Sequence, residues 1–187
     1  MRVRVWDPAT LACVAVHAHG SDVNSLAALP SGGFASGCGD GRIAVWSAKG
    51  ERVASLRLGG SAGFGRVLSL AVLPDGRLAA GYSDAPATAA GGPSLVRVWD
   101  VQRRALDAEL SGHANDVESL AALSDGRLVS GSRDHTVKVW SVPVAAGALA
   151  LCSATLGGHT DAVLALARLP DGRVASGSED GTVRVWA

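Results

Sequence analysis

Aromatic residues are scarce, at 4% of 187 residues, and five of the eight are Trp. One Tyr and two Phe leave little for a platform on which single-stranded nucleic acid could stack. An excess of either charge is also lacking, with 17 Lys+Arg against 17 Asp+Glu. Phosphate contacts draw on a basic surplus, so nucleic acid is not an expected partner. No segment approaches the roughly 18 apolar residues of a membrane span. Met1 to Pro8 lacks the apolar run of a signal peptide, so a membrane is not expected as a partner either. Cysteine is limited to Cys13, Cys38 and Cys152, an odd number without CxxC spacing. These are read as reduced thiols of an intracellular protein, cytoplasmic and/or nuclear.

What the chain does have is Gly (24 residues), an apolar content of 48%, and Val recurring at alternate positions. The mix predicts many short strands joined by tight turns. Trp falls at positions 6, 46, 99, 140 and 186, at intervals of 40, 53, 41 and 46 residues. Four segments align on that period. The first runs from Asp22-Val23-Asn24-Ser25-Leu26 through Ala35-Ser36-Gly37-Cys38-Gly39-Asp40 to Val45-Trp46. The second holds Arg66-Val67-Leu68-Ser69-Leu70, Gly81-Tyr82-Ser83-Asp84 and Val98-Trp99. The third opens on Gly112-His113 and closes on Ser130-Gly131-Ser132-Arg133-Asp134 and Val137-Lys138-Val139-Trp140. The fourth opens on Gly158-His159 and closes on Ser176-Gly177-Ser178-Glu179-Asp180 and Val183-Arg184-Val185-Trp186.

The Gly-His pair, the Ser-Gly-Ser-x-Asp run and the closing Val-x-Val-Trp resemble the WD-repeat family over nearly the whole chain. That resemblance implies an all-β fold, a WD-repeat β-propeller, here partial, with about four blades of four-stranded antiparallel sheets over residues 1–187. Each blade has strands a to d from the axis outward. Val163-Leu164-Ala165-Leu166-Ala167 is almost continuously apolar, which predicts a strand buried on both faces. Pro74-Asp75-Gly76, Ser124-Asp125-Gly126 and Pro170-Asp171-Gly172 predict tight hairpin turns between strands a and b. Ala85 to Ser94, or close to it, is an insertion whose Pro and Gly predict a surface loop between strands b and c. Residues 1–17 read as strands c and d of a blade without its first two strands, and the fourth repeat stops after strand c. A ring uses four to eight blades. Two readings therefore stay open: part of a longer propeller with missing blades, or closure by self-association or as an unusually small ring.

His113, Ser130 and Asp134 have the residue types of a catalytic triad, as do His159, Ser176, Asp180 and His19, Ser36, Asp40. An active site needs one such set in a cleft, whereas this one recurs three times, each with a Trp. The family resemblance implies a structural hydrogen-bond chain in each blade. It would join His19, Ser36, Asp40 and Trp46, then His113, Ser130, Asp134 and Trp140, then His159, Ser176, Asp180 and Trp186. The second repeat keeps Asp84 and Trp99, but Ala80 replaces Ser and Gly63 stands near the His position, so it is expected to be the least rigid. No enzyme activity, metal or cofactor is expected: His17 and His19 alternate along a strand without an evident third ligand.

In the WD-repeat family partners often contact the face where strand a begins and strand b ends. The resemblance places Asp22, Asn24, Arg66, Asp116, Glu118, Arg133 and Glu179 there, a mildly acidic face with basic spots. It suits a protein or peptide segment bearing Lys or Arg. The expected function is a non-catalytic scaffold for protein–protein interaction. The Leu-Pro-Asp-Gly turns and Ser-Leu-Ala-Ala-Leu strands also resemble the propeller of the phospholipase A2-activating protein family, which implies a ubiquitin-binding adaptor in ubiquitin-dependent degradation. A purely structural, self-assembling propeller fragment is the third reading.

Overall fold

The computed structural model describes residues 1–57, 65–83, 94–144 and 150–187. These form seventeen strands in five antiparallel sheets that follow one another along the chain. An N-terminal hairpin pairs β1 (Arg2–Trp6) with β2 (Cys13–Ala18). Repeat one is β3 (Val23–Ala28), β4 (Phe34–Cys38), β5 (Ile43–Trp46) and β6 (Arg52–Leu56). Repeat two is β7 (Val67–Val72), β8 (Leu78–Tyr82), β9 (Ser94–Asp100) and β10 (Ala105–His113). Repeat three is β11 (Val117–Ala122), β12 (Leu128–Ser132), β13 (Val137–Ser141) and β14 (Leu151–Leu156). Repeat four has three strands, β15 (Val163–Arg168), β16 (Val174–Ser178) and β17 (Val183–Trp186). The insertion of repeat two falls on residues 84–93, outside the described residues, and so does Asp84. Ser94 is not part of that loop: it opens β9 and is buried.

The turns follow from their residues. Leu73 N donates to Arg77 O (2.8 Å), and the Asp75 carboxylate caps Arg77 N (3.0 Å). Gly76 takes φ 88°, which a side chain would oppose. Each a–b pair then carries a register shift at the same place, between Val23 and Ser25, Val67 and Ser69, Val117 and Ser119, and Val163 and Ala165. These bulges put Asn24, Leu68, Glu118 and Leu164 at the unpaired position, where a side chain is re-aimed.

The core lies at the seams between sheets. Ile43, Leu56, Val67, Leu78 and Trp99 fill the first seam, Val96, Leu110, Val117, Leu128 and Trp140 the second, and Val129, Val137, Val163 and Val174 the third. Each seam has a socket without a side chain. A Cβ on Gly37 would lie 2.4 Å from Val67 Cγ1, one on Gly81 2.8 Å from Val117 Cγ1, and one on Gly131 2.7 Å from Val163 Cγ1. A hydroxyl of strand a adds a link to the next sheet. Leu70 N donates to Ser25 Oγ and Leu166 N to Ser119 Oγ (both 3.0 Å), and Ser69 Oγ donates to Val117 O (3.4 Å). Arg77 clamps the second seam from below: its guanidinium binds Asp75 and Asp107 of its own repeat and the carbonyls of Val142 and Pro143 (3.1 Å each) of the next.

The expectation that strand a of repeat four is buried on both faces is corrected. In β15 only Val163 is buried, and Leu164, Ala165, Ala167 and Arg168 are exposed. Among the described residues no further sheet covers the outer face of repeat four, so its apolar composition meets solvent there. Leu26 of β3 is likewise 54% exposed, on a strand whose preceding neighbour, the β1–β2 hairpin, has no strand a.

Candidate functional site

In repeat three the strand register brings four side chains from β13, β12, the end of β10 and the turn after β12 into one line. Trp140 of β13 donates its indole N–H to Ser130 Oγ of β12 (2.8 Å), Ser130 Oγ lies 2.7 Å from His113 Nε2, and His113 Nδ1 lies 2.7 Å from Asp134 Oδ2. Directions follow from the ends of the line: the carboxylate can only accept, so the imidazole gives Nδ1–H to it, and with a neutral ring Nε2 then accepts the hydrogen bond that the serine hydroxyl donates. Repeat four repeats the chain from Trp186 through Ser176 and His159 to Asp180, at 2.8, 2.8 and 2.7 Å. Asp134 also accepts from Ala114 N (3.0 Å), Thr136 N (2.9 Å) and Thr136 Oγ1 (2.6 Å), which ties down the turn between strands b and c. Ser132 Oγ closes that turn by accepting from Asp134 N (3.1 Å), and it donates to Asn115 O (2.9 Å) in the segment before strand a. Ser130 and His113 are 0% and 3% exposed, and the Ser130 hydroxyl has both neighbours in place. The arrangement joins strands to one another and leaves no room for a substrate beside the hydroxyl.

Burial alone would raise the Asp134 carboxyl, but hydrogen bonds from His113, Thr136 and Ala114 N outweigh it and hold the pKa far below the usual carboxylate range. Thr182 does most to lower Asp180 in the same direction, against a rise from burial, with His159 and backbone donors adding to the lowering. A carboxyl whose folded pKa is depressed contributes fully above its unfolded value of about 3.9 and loses that contribution as the pH falls through the folded value. Thermal stability is therefore expected to hold from neutrality to about pH 4 and to fall below it, with a shallower fall in Asp134→Asn. Calorimetry across that range checks this, and identical acid limbs in the two proteins would contradict it.

Repeat one does not form the chain expected for it. Trp46 Nε1 reaches Ser36 Oγ (3.0 Å), but His19 Nδ1 faces Cys38 Sγ (3.6 Å), and Asp40 binds Arg42 through N (3.2 Å) and Nε (3.4 Å). Three substitutions set this repeat apart, the first being Ala18 before His19, where repeats three and four have Gly112 (φ 149°) and Gly158 (φ 146°). Cys38 stands where repeats three and four have Ser132 and Ser178, and Arg42 stands where they have Thr136 and Thr182. Burial raises the Cys38 thiol and lowers His19, so both groups favour their neutral forms. In repeat two Trp99 Nε1 is buried without a well-formed hydrogen bond among the described residues: Ala80 stands where repeats three and four have Ser130 and Ser176, and the Tyr82 side chain lies beside the indole. The Asp-x-Thr spacing of Asp134-His135-Thr136 and Asp180-Gly181-Thr182 was the signal by which the threonines could have been found. Among the described residues no three His, Cys, Asp or Glu side chains gather as a metal site.

The second set of residues lies where strand a begins and strand b ends, tied there by backbone bonds from Gly39 N to Asp22 O, Ser83 N to Arg66 O, Arg133 N to Asp116 O and Glu179 N to Ala162 O. Arg133 binds Glu118, and Glu179 and Asp116 lie close enough to raise its pKa further. Glu118 is thus the ion-pair partner of this guanidinium, and the charges of Asp116 and Glu179 add to its field across the seam of repeats three and four. Asp22 and Arg66 are exposed, and Asn24 spends its amide on Val67 O (2.9 Å) across the first seam.

The family described as "WD domain, G-beta repeat" matches residues 11–47, 105–141 and 150–187, leaving out β7 to β9 of irregular repeat two. A probable coatomer subunit beta' of Schizosaccharomyces pombe is 37% identical over 126 residues, covering 65% of this chain and 15% of that protein. A periodic tryptophan protein 2 homolog of Neurospora crassa is 48% identical over 48 residues, 25% of this chain and 5% of that one. Among solved structures, that of U3-55K superposes with a TM-score of 0.73 at 29% identity, covering 91% of this chain and 50% of its own. The chain therefore spans a small part of these curated relatives and half of the solved chain.

Proposed function

The chain belongs to the WD domain, G-beta repeat family, and from that premise we propose that it is a non-catalytic scaffold that binds a Lys- or Arg-bearing segment of another protein. Members of this family act in general as platforms for protein interaction. In this reading the buried His–Ser–Asp–Trp chains stiffen the sheets, and recognition belongs to the bulged ends of strand a. The observation that carries it is the Glu118–Arg133 ion pair at this end of the strands, in a field made more negative by Asp116 and Glu179. An incoming cation competes with Arg133 for Glu118 and meets net negative charge, the complementarity that fixes partner choice and speeds encounter. Cytoplasmic or nuclear residence belongs to the same proposal, supported by three cysteines that are all free thiols.

The test is a pull-down from the native cell with the wild-type chain and the Asp116→Ala, Glu118→Ala double variant. Proteins retained by the first and lost from the second, with binding that weakens as salt is raised, support the reading. An unchanged set of bound proteins contradicts it.

A further inference from the structure

We propose that the seam between the β1–β2 hairpin and repeat one holds a binding site for a small carboxylic acid with an apolar body. The site lies where strand b begins and strand c ends, at the opposite end of the strands from Glu118 and Arg133. It therefore stands or falls apart from the partner-binding proposal.

Two departures from the repeat build it. Strand d of repeats one, two and three puts a leucine opposite the residue three before the strand c Trp: Leu56 faces Ile43, Leu110 faces Val96 and Leu156 faces Val137. Leu56 and Leu110 are fully buried there. The hairpin has His17 at that register position, facing Val3, and buries it too, at 8% exposed. The other departure lies two residues after the Trp. Val101 and Val142 at that position pack into the first and second seams, but repeat one has Ala48, which is exposed. Alanine is too short to plug its seam, and a cavity of about 280 Å³ is left beside it. That is close to the lower end of the volumes that small-ligand sites have.

The cavity wall is apolar at Val5, Val14 and Phe34 and polar at His17 and Lys49. Its imidazole is held on several sides. The ring centroid lies 5.5 Å from that of Phe34 and 4.8 Å from that of Trp46. Gly50, at φ 80°, brings the turn between strands c and d so near that a Cβ there would lie 2.6 Å from His17 Cε1. Yet His17 Nε2 is buried with no hydrogen-bond partner among the described residues. Buried polar atoms are generally paired, so an unpaired imidazole at a cavity wall, where the other seams use leucine, points to a ligand. A neutral imidazole has one N–H to give, and a carboxylate can only accept. The exposed Lys49 adds a positive charge at the rim. An acid thus lays its body on Phe34 and Val5 and accepts from the imidazole and the ammonium, whereas an amine of the same size is opposed by Lys49.

The test is a titration of the 187-residue chain with phenylacetate, followed by NMR of the His17 ring and the Ala48 and Gly50 amides, with benzylamine as the control of opposite charge. Phenylacetate is expected to shift these signals saturably and to bind at least about tenfold more tightly than benzylamine, the factor that one hydrogen bond to a charged group supplies. Ala48→Val and His17→Leu each install a residue that other repeats have at that position. Both are expected to keep the fold, checked by circular dichroism, and to lose the shifts of the amides. Absence of saturable binding, benzylamine bound as tightly, or phenylacetate bound unchanged by Ala48→Val overturns the proposal.

Discussion

Ser130→Ala is expected to lower the melting temperature about twice as far as Ser36→Ala. Ser130 Oγ is the acceptor for Trp140 and the donor to His113 Nε2, both buried. Its removal orphans two groups at about 1–3 kcal/mol each, or roughly 2–6 kcal/mol in all. For a chain of this size that corresponds to a fall of roughly 4–24 °C. Ser36 Oγ accepts the Trp46 indole and, because His19 has turned to Cys38, donates only a long bond to the Ala44 carbonyl (3.4 Å), so its loss orphans one buried donor. One orphaned donor costs about 1–3 kcal/mol. Repeat two supplies the reverse experiment: Ala80→Ser gives the buried Trp99 indole an acceptor and is expected to gain about 0.5–1.5 kcal/mol. Thermal unfolding of the three variants decides the matter, and equal losses for Ser130→Ala and Ser36→Ala would remove the argument that the chain acts as a unit.

That comparison also marks how far the sequence could be read. The sheets, their order and the hairpin turns were legible because each rests on local chemistry repeated at a fixed period: Val at alternate positions, Asp-Gly in the turn, Trp at the end of strand c. The polar chains of repeats three and four were legible for the same reason. Repeat one was not, because its His, Ser, Asp and Trp all stand at the right spacing. His19 faces Cys38 and Asp40 binds Arg42, on a strand where Ala18 replaces the positive-φ glycine that precedes His113 and His159. Those are pairwise contacts between neighbouring elements, and spacing carries no record of which partner wins. The Arg77 clamp was hidden for a related reason. Arg127 and Arg173 follow the same Asp-Gly, yet each is about half exposed and binds only the carboxylate of its own turn. Only Arg77 has Asp107 and two carbonyls of the next repeat within reach. Exposure of β15 was misread because burial belongs to the neighbouring sheet, whereas apolar content belongs to the strand.

Gly81→Ala is expected to cost more than any other single methyl added to a strand b glycine of this chain. A Cβ there would lie 2.5 Å from Ser69 Oγ, 2.8 Å from Val117 Cγ1 and 2.9 Å from Val117 O. Val117 is β-branched and stiff, and its carbonyl belongs to the bulge that starts β11, so neither can turn aside. The two sheets must separate or Val117 must leave its socket, an overpacking cost of about 1–3 kcal/mol or more. Ser69 would also lose its place beside Val117 O, the hydroxyl link of that seam. Gly177→Ala is the internal control. The same methyl meets only Ala165 at 3.8 Å, an ordinary van der Waals contact. Its strand geometry suits Ala better than Gly, so a change near zero or a small gain is expected. Denaturant midpoints of the two variants separate the cases. Equal stability would mean that the seams slide freely over their glycines, and the sheets would then be held by the polar chains alone.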